Sequence, residues 1–217
     1  MPVVREEFGP TLPELLGPRL GVSTRTVWRA LAAVGVFALA VAAWLSLRPD
    51  PGRTDVVVRK PITFNLLYTD AVHRVAPRAG EVLRLQTRSG PPQSLAVRTL
   101  RLPSYRGDVS ATFALMSVRM IDEMQAKYAG FVYRGDGRVS LSKQPGYQII
   151  FQARSGGRTT YGRRVLLVGA AEPPPRQALD MTLLAARSPA VPNVDAVAAT
   201  GPLKVPYRSV WFGAGRP

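Results

Sequence analysis

The amino-acid sequence predicts an α+β fold in which an antiparallel β-sheet packs against one long helix and a short C-terminal helix, preceded by a single transmembrane helix. Three observations lead to this prediction. The stretch Ala30–Leu47 contains no charged residue, which is typical of a membrane-spanning helix. The later stretch Val109–Ala129 carries apolar side chains at helical spacing. Most of the remaining sequence consists of short apolar runs separated by Gly, Pro and Asp, as in antiparallel sheets.

The first residues, 1–29, are polar to mixed, and we interpret them as a cytoplasmic N-terminal tail. Within them, the short apolar patch Leu12–Leu16 could dock into the groove of a partner protein. A tail that happens to contain a few leucines is the simpler interpretation.

The predicted transmembrane helix covers residues 30–47, about the shortest length that spans the hydrocarbon core. Trp28 and Trp44 lie near its ends, as aromatic residues at membrane interfaces do. A cleaved signal peptide is the alternative, because Ala40-Val41-Ala42 matches the cleavage pattern of small residues. The charged leader is long for a signal peptide, and the apolar run continues past this site to Leu47. We therefore predict an uncleaved anchor in the cell membrane.

The orientation of this anchor rests on its flanking charges. Arginines and lysines are equally frequent on its two sides, so the positive-inside rule does not decide. A short basic leader before a first apolar helix usually stays in the cytoplasm, which predicts that the large C-terminal domain is extracytoplasmic.

After the anchor, residues 48–60 are predicted to form an extended linker, because Pro49, Pro51 and Gly52 disfavour regular structure. The α+β domain is predicted to cover residues 61–212, with a flexible end at 213–217. Its first strands are predicted at Ile62–Tyr68, Glu81–Thr87 and Ser94–Leu100. In the second of these, leucines alternate with Arg84 and Gln86, which predicts one solvated face.

The long helix is predicted to begin after Asp108, a good N-cap residue, and to end at Gly130. Its apolar residues fall on one face at spacings of three and four, which predicts a face buried in the core rather than a flexible binding stripe. These residues are Phe113, Met116, Met120, Ile121, Met124 and Tyr128.

Hairpins are predicted to follow the helix. One has its turn at Gly135-Asp136-Gly137, between Phe131–Arg134 and Val139–Leu141. A second has its turn at Ser155-Gly156-Gly157, between Gly146–Arg154 and Thr159–Val168. The final elements are predicted to be a strand at Ala178–Ala186, a short helix within Val191–Gly201, and a segment Tyr207–Phe212 whose aromatic residues pack on the domain.

These strands carry a resemblance to a known family. The segments YQIIFQAR (147–154), SGGRTTYGRRVLLV (155–168) and MTLL (181–184) resemble the PsbP-like family, over about residues 62–212. Its members include extrinsic subunits of the photosynthetic oxygen-evolving complex and actinobacterial extracytoplasmic lipoproteins. The chain departs from the lipoproteins because it has no lipidated cysteine, and the predicted membrane helix takes that role. The resemblance implies a non-enzymatic binding or accessory domain and assigns no site residue.

The chain is strongly basic, with a net charge of +15 and no cysteine. The charge could serve an anionic partner such as lipid headgroups, a polyanionic envelope polymer or nucleic acid. A biased overall composition is the simpler explanation, since the arginines are scattered. If a partner exists, its candidate contacts are Arg158, Arg163 and Arg164 around the second hairpin.

Catalytic and metal-binding signatures are missing from the sequence. His73 is the only histidine, so a cluster of histidine ligands is excluded, and Asp70 could orient His73 only in a helix. No phosphate-binding loop or serine-nucleophile motif occurs. We therefore expect no catalytic residue, metal or cofactor, and predict a membrane-anchored, extracytoplasmic binding domain for an envelope protein or polyanionic surface. The alternatives are a nucleic-acid-binding domain, a cytoplasmic-facing interaction domain and an unrecognised hydrolase.

Overall fold

A computed structural model describes residues 24–47, 52–102, 109–169 and 177–215. The chain divides into two compact units, Met1–Pro51 and Gly52–Pro217. In the first unit, helix α1 covers Thr24–Leu47, and its described side chains are exposed, among them Val34, Phe37 and Leu39. Within the described part of the chain, no helix meets the length and hydropathy needed to cross a membrane.

The second unit is an α+β structure built on two antiparallel sheets. Its elements, in chain order, are β1 (Arg53–Val58), β2 (Phe64–Thr69), β3 (Val72–Arg74), β4 (Leu83–Thr87), β5 (Gln93–Arg101), α2 (Val109–Lys127), β6 (Val132–Leu141), β7 (Gln144–Ser155), β8 (Arg158–Val168), β9 (Gln177–Ala186), α3 (Lys204–Arg208) and β10 (Trp211–Phe212). The large sheet has seven strands in the order β3-β4-β5-β9-β8-β7-β6, and the small sheet has three in the order β1-β2-β10.

The large sheet is the middle layer of the second unit, and each of its faces has its own apolar core. On one face, Leu85, Val97 and Met181 are fully buried together with Phe64 and Leu66 of the small sheet. On the other face, Met120 and Met124 of α2 pack on Phe151 and Leu166. Strand alternation explains both cores, because successive residues point to opposite faces.

Helix α2 confirms the prediction of one buried face. Phe113, Met116, Met120 and Met124 are buried, and Ile121 and Tyr128 are half-buried against the same core. The predicted N-cap, Asp108, lies outside the described residues. Beyond the helix, Gly130 has a φ of 60°, a left-handed conformation that favours glycine after a helix end.

The hairpin predicted at Gly135–Gly137 is wrong. Val132–Leu141 forms one continuous strand, and the register shifts between Tyr133 and Gly135, so the glycine marks a β-bulge. The actual turn is Ser142-Lys143, because Leu141 pairs with Gln144 and both turn residues have positive φ. The turn at Gly156-Gly157 agrees with the prediction, since Ser155 pairs with Arg158 around it.

The ends of the second unit are more ordered than the sequence predicted. Within the predicted linker, 48–60, residues Arg53–Val58 form β1, which pairs with β2 and buries Val56 and Val58. In the predicted flexible end, the carbonyl oxygens of Gly213 and Gly215 accept hydrogen bonds from the buried Asn65 side chain. The short C-terminal helix occurs at Lys204–Arg208 rather than within Val191–Gly201, which forms turns and isolated bridges.

Candidate functional site

Helix α2 covers only part of the large sheet, and the face it leaves open is polar. α2 packs over β7, β8 and the start of β9, where the sheet is apolar. Towards β4 and β5, the same face presents two cross-strand rows. One row consists of Gln86, Ser94 and Leu184, and the other of Arg84, Ala96 and Thr182. The predicted solvated face of β4 therefore forms part of a floor.

This floor and the C-terminal end of α2 enclose a groove, which we name the basic groove. It contains two cavities of ≈ 260 Å³ and ≈ 510 Å³ that share Arg78, Arg84, Lys127, Tyr128 and Leu184 in their linings. The larger volume lies within the range of roughly 300–1,000 Å³ that is usual for small-molecule sites. The charged residues of the two linings are Arg78, Arg84, Arg98, Lys127, Arg154 and Glu81. The groove therefore has five cationic side chains and one carboxylate.

The single carboxylate, Glu81, is already engaged. Its Oε1 accepts a hydrogen bond of 2.6 Å from Nη1 of Arg84, and its Oε2 accepts one of 2.9 Å from the backbone N–H of Arg78. Partial burial raises the pKa of Glu81, but these hydrogen bonds and the charges of Arg84 and Arg78 outweigh that effect and hold the pKa below its ordinary value. Glu81 is therefore ionised at neutral pH, and both of its oxygens already accept hydrogen bonds.

Beside the groove, a buried ion network joins the sheet to α2. Arg164 donates hydrogen bonds of 2.9 and 2.8 Å to the carboxylate of Asp180, and one of 2.7 Å to Glu123 on α2. Arg98 donates a further hydrogen bond of 2.6 Å to Asp180. Burial raises the pKa of Asp180, but its hydrogen bonds and ion pairs with Arg164 and Arg98 have the larger effect and lower it. The network is structural, and it fixes Arg98 at the edge of the groove.

Lys127 and Tyr128 form the helix side of the groove. Among the described residues, the Lys127 amine has no hydrogen bond or ion pair, and its Nζ lies 5.4 Å from the centroid of the Tyr128 ring. Burial and the nearby charges of Arg98 and Arg164 lower the pKa of Lys127. Burial also favours the neutral form of Tyr128, and it therefore raises the pKa of that hydroxyl. The amine thus lies in a field of other cations, where a bound anion would relieve the repulsion.

The three arginines predicted as anionic-partner contacts do not lie together. Arg158 is exposed at the β7–β8 turn. Arg163 faces the C-terminal segment, where it donates a hydrogen bond of 3.1 Å to the carbonyl oxygen of Asp195 and lies over the Tyr207 ring. Arg164 points to the opposite face and is 5% exposed within the ion network. Of the three, Arg158 is the one whose exposure leaves it accessible to a partner.

His73 and Asp70 do not form a catalytic pair. His73 lies half-buried on β3, and its buried Nδ1 has no hydrogen-bond partner among the described residues. Asp70 is exposed in the turn before β3. The described residues contain no group of three or more His, Asp or Glu side chains that could hold a metal ion.

Sequence reasoning missed the groove residues because the signal lay in pairing between distant segments. The alternation in EVLRLQT places Arg84 on the face opposite to the leucines of that strand, and in SLAVRTL it places Arg98 opposite to Leu95 and Val97. It does not show that β9 lies beside β5, or that α2 stops at Lys127 above them. The missing information is the strand order.

Comparisons with known proteins give similarity at the level of the fold. No family model matches the chain, and no curated protein matches its sequence. Among solved structures, LpqN of Mycobacterium tuberculosis, described as involved in cell envelope biogenesis, is 12% identical with a TM-score of 0.51. That match covers 74% of this chain and 91% of LpqN. The fold is similar to that of LpqN.

Two further structures are less similar. Cyanobacterial PsbP from Synechocystis is 12% identical with a TM-score of 0.45, over 70% of this chain and 92% of that one. A protein of unknown function from Pseudomonas aeruginosa is 16% identical with a TM-score of 0.35, over 64% of this chain and 85% of that one. The weak resemblance to the PsbP-like family that the sequence shows is thus also found among solved structures.

Proposed function

We propose that this protein is a membrane-anchored, extracytoplasmic, non-catalytic domain that binds an anionic component of the cell envelope. The observation that carries the proposal is the basic groove, in which five cationic side chains face one engaged carboxylate. Such a site attracts anions, and its one carboxylate is already held by hydrogen bonds. The net charge of +15 adds a longer-range attraction that salt screens.

The envelope location is supported by two features. The run Ala30–Leu47 has no charged residue, and α1 exposes large apolar side chains such as Phe37, which is 71% exposed. Exposed apolar surface of this kind is stabilised by lipid or by a partner. The similarity to LpqN, itself described as involved in envelope biogenesis, is consistent with this location.

The test is fractionation of cells that produce the full chain, followed by external protease treatment. We expect the protein to stay in the membrane pellet after alkaline carbonate extraction, and the large domain to be cleaved on intact cells. Release by carbonate would contradict the anchor. Protection of the domain from protease would contradict the extracytoplasmic side.

A matched pair of variants makes the test specific to α1. Phe37→Arg places a charge at the centre of the apolar run, which costs about 2.5–3.5 kcal/mol in a membrane helix, and we expect it to weaken membrane retention. Leu115→Arg makes the same kind of change at a residue of α2 that is 76% exposed, and we expect full retention. Equal membrane retention of the two variants would show that α1 has no special role in anchoring the protein.

A further inference from the structure

We propose that the basic groove is a binding site for a small organic anion, whose phosphate, sulfate or carboxylate group is held by Arg84 and Lys127 and whose uncharged body lies on Leu184, Ala96 and the Tyr128 ring. This inference rests on the proposed function, because it names the chemical class that the groove would take. Unlike a diffuse attraction to polyanions, this proposal requires one defined binding site.

The anionic end of the site is indicated by cations whose donors are left unused. Arg84 is only 7% exposed, yet among the described residues its guanidinium gives one hydrogen bond, to Glu81, and its Nε has no partner. A guanidinium carries five N–H donors, so most of its capacity is open. Lys127 has three donors and none is used by the described residues.

The position of these cations is not explained by fold stability alone. A lysine in the last turn of a helix is favoured by the helix dipole, which accounts for Lys127 by itself. No such effect applies to Arg84, the second residue of β4, which pairs with Glu81, or to Arg78 in the loop before it. Gathering three cations around one cavity is unfavourable without a counter-charge, and Glu81 supplies only one.

The uncharged end of the site follows from the rest of the lining. Ala96 lies on the floor of the smaller cavity, and the larger cavity continues from Lys127 along the apolar side chains of Leu184, Ala186 and Ala153. Polar residues such as Ser94 and Thr160 line the cavity beside them. A bare inorganic anion would leave these apolar side chains exposed to water. An organic anion would cover them, so the groove should discriminate between the two.

The experiment is isothermal titration of the purified full chain in a non-ionic detergent at low salt. The probes are phenyl phosphate and inorganic phosphate, and each is also titrated into detergent alone. We expect phenyl phosphate to bind more tightly than inorganic phosphate. Equal affinities, or no binding of phenyl phosphate, would overturn the proposal.

Four variants locate the bound anion. Lys127→Gln removes one charge-assisted hydrogen bond, and we expect at least a tenfold loss of affinity for phenyl phosphate, whereas Lys127→Arg should retain binding. Lys204→Gln removes an exposed lysine on α3 outside the groove and should change nothing. Ala96→Phe fills the floor without changing charge and should abolish binding. Equal losses from Lys127→Gln and Lys204→Gln, or unchanged binding by Ala96→Phe, would overturn the proposal.

These titrations are independent of where the protein resides. A domain released from the membrane that still binds phenyl phosphate would refute the proposed envelope function and leave the groove assignment intact. An anchored, surface-exposed domain without binding would refute the groove assignment alone.

Discussion

At the scale of the single residue, Asp180 carries the most consequence for stability, because it neutralises the buried Arg164 and also pairs with the partly exposed Arg98. Its side chain is 4% exposed and bonds to Arg164 and Arg98. We expect Asp180→Asn to lower the free energy of unfolding by about 3 kcal/mol at pH 7, since removing one partner of a buried pair leaves the other charge poorly compensated. Urea denaturation measures this change.

Asp122→Asn is the matched control, because Asp122 lies on the exposed side of α2 and should change stability by less than about 0.5 kcal/mol. Similar urea midpoints for the two variants would show that the network adds nothing to stability.

The same residue sets the acid sensitivity of the fold. Despite the opposing effect of burial, the arginines hold the pKa of Asp180 below its value in an unfolded chain. The stabilisation is therefore complete above the unfolded pKa, about 3.9, and is lost as the pH falls through the lower folded value. Below about pH 4, the wild-type protein should lose stability more steeply than the Asp180→Asn variant, in which the stabilisation by the ionised carboxylate is already absent.

At the scale of the element, the β6–β7 hairpin shows what local sequence can and cannot predict. Gly156-Gly157 was recognisable as a turn, because glycine adopts positive φ without strain. Gly135 looked the same in the sequence but serves a bulge, while the true turn uses Ser142 and Lys143, with φ of 48° and 64°. The hairpin register is set by pairing along the whole of β7, which outweighs the local glycine signal.

This turn predicts a stabilising substitution. Lys143→Gly should raise the free energy of unfolding by about 0.5–1 kcal/mol. The substitution relieves the strain of a Cβ in a left-handed backbone, and the greater entropy of glycine in the unfolded chain offsets part of that gain. Lys143→Ala removes the charge and the long side chain but keeps the Cβ, so it should give no such gain. A gain from both variants would point to the lysine charge as the cause instead.

At the scale of the whole molecule, the sequence predicted the α+β class and the buried face of α2, but not the second sheet. Helical spacing is local, so Met120 and Met124 could be assigned to the core from the sequence alone. The small sheet joins β1 and β2 to β10, in which Trp211 pairs with Asn65 from the other end of the unit. No local pattern contains that pairing, and the basic groove was missed for the same reason.

The second sheet also moves the N-terminal boundary of the domain, and this yields a last prediction. A chain that begins at Gly52 keeps β1, and we expect it to unfold at the same urea concentration as the full protein. A chain that begins at Pro61, the predicted boundary, loses Val56 and Val58, which are 8% and 9% exposed. At about 1.5–3 kcal/mol for each buried valine, it should lose roughly 3–6 kcal/mol of stability.

Tryptophan fluorescence suits this comparison, because Trp211 is the only tryptophan after Pro51 and lies in the small sheet itself. Coincident transitions for the two truncated chains would mean that β1 adds nothing to the core, and the domain would then begin where the sequence placed it. A large difference would establish that the segment after Pro51 belongs to the fold.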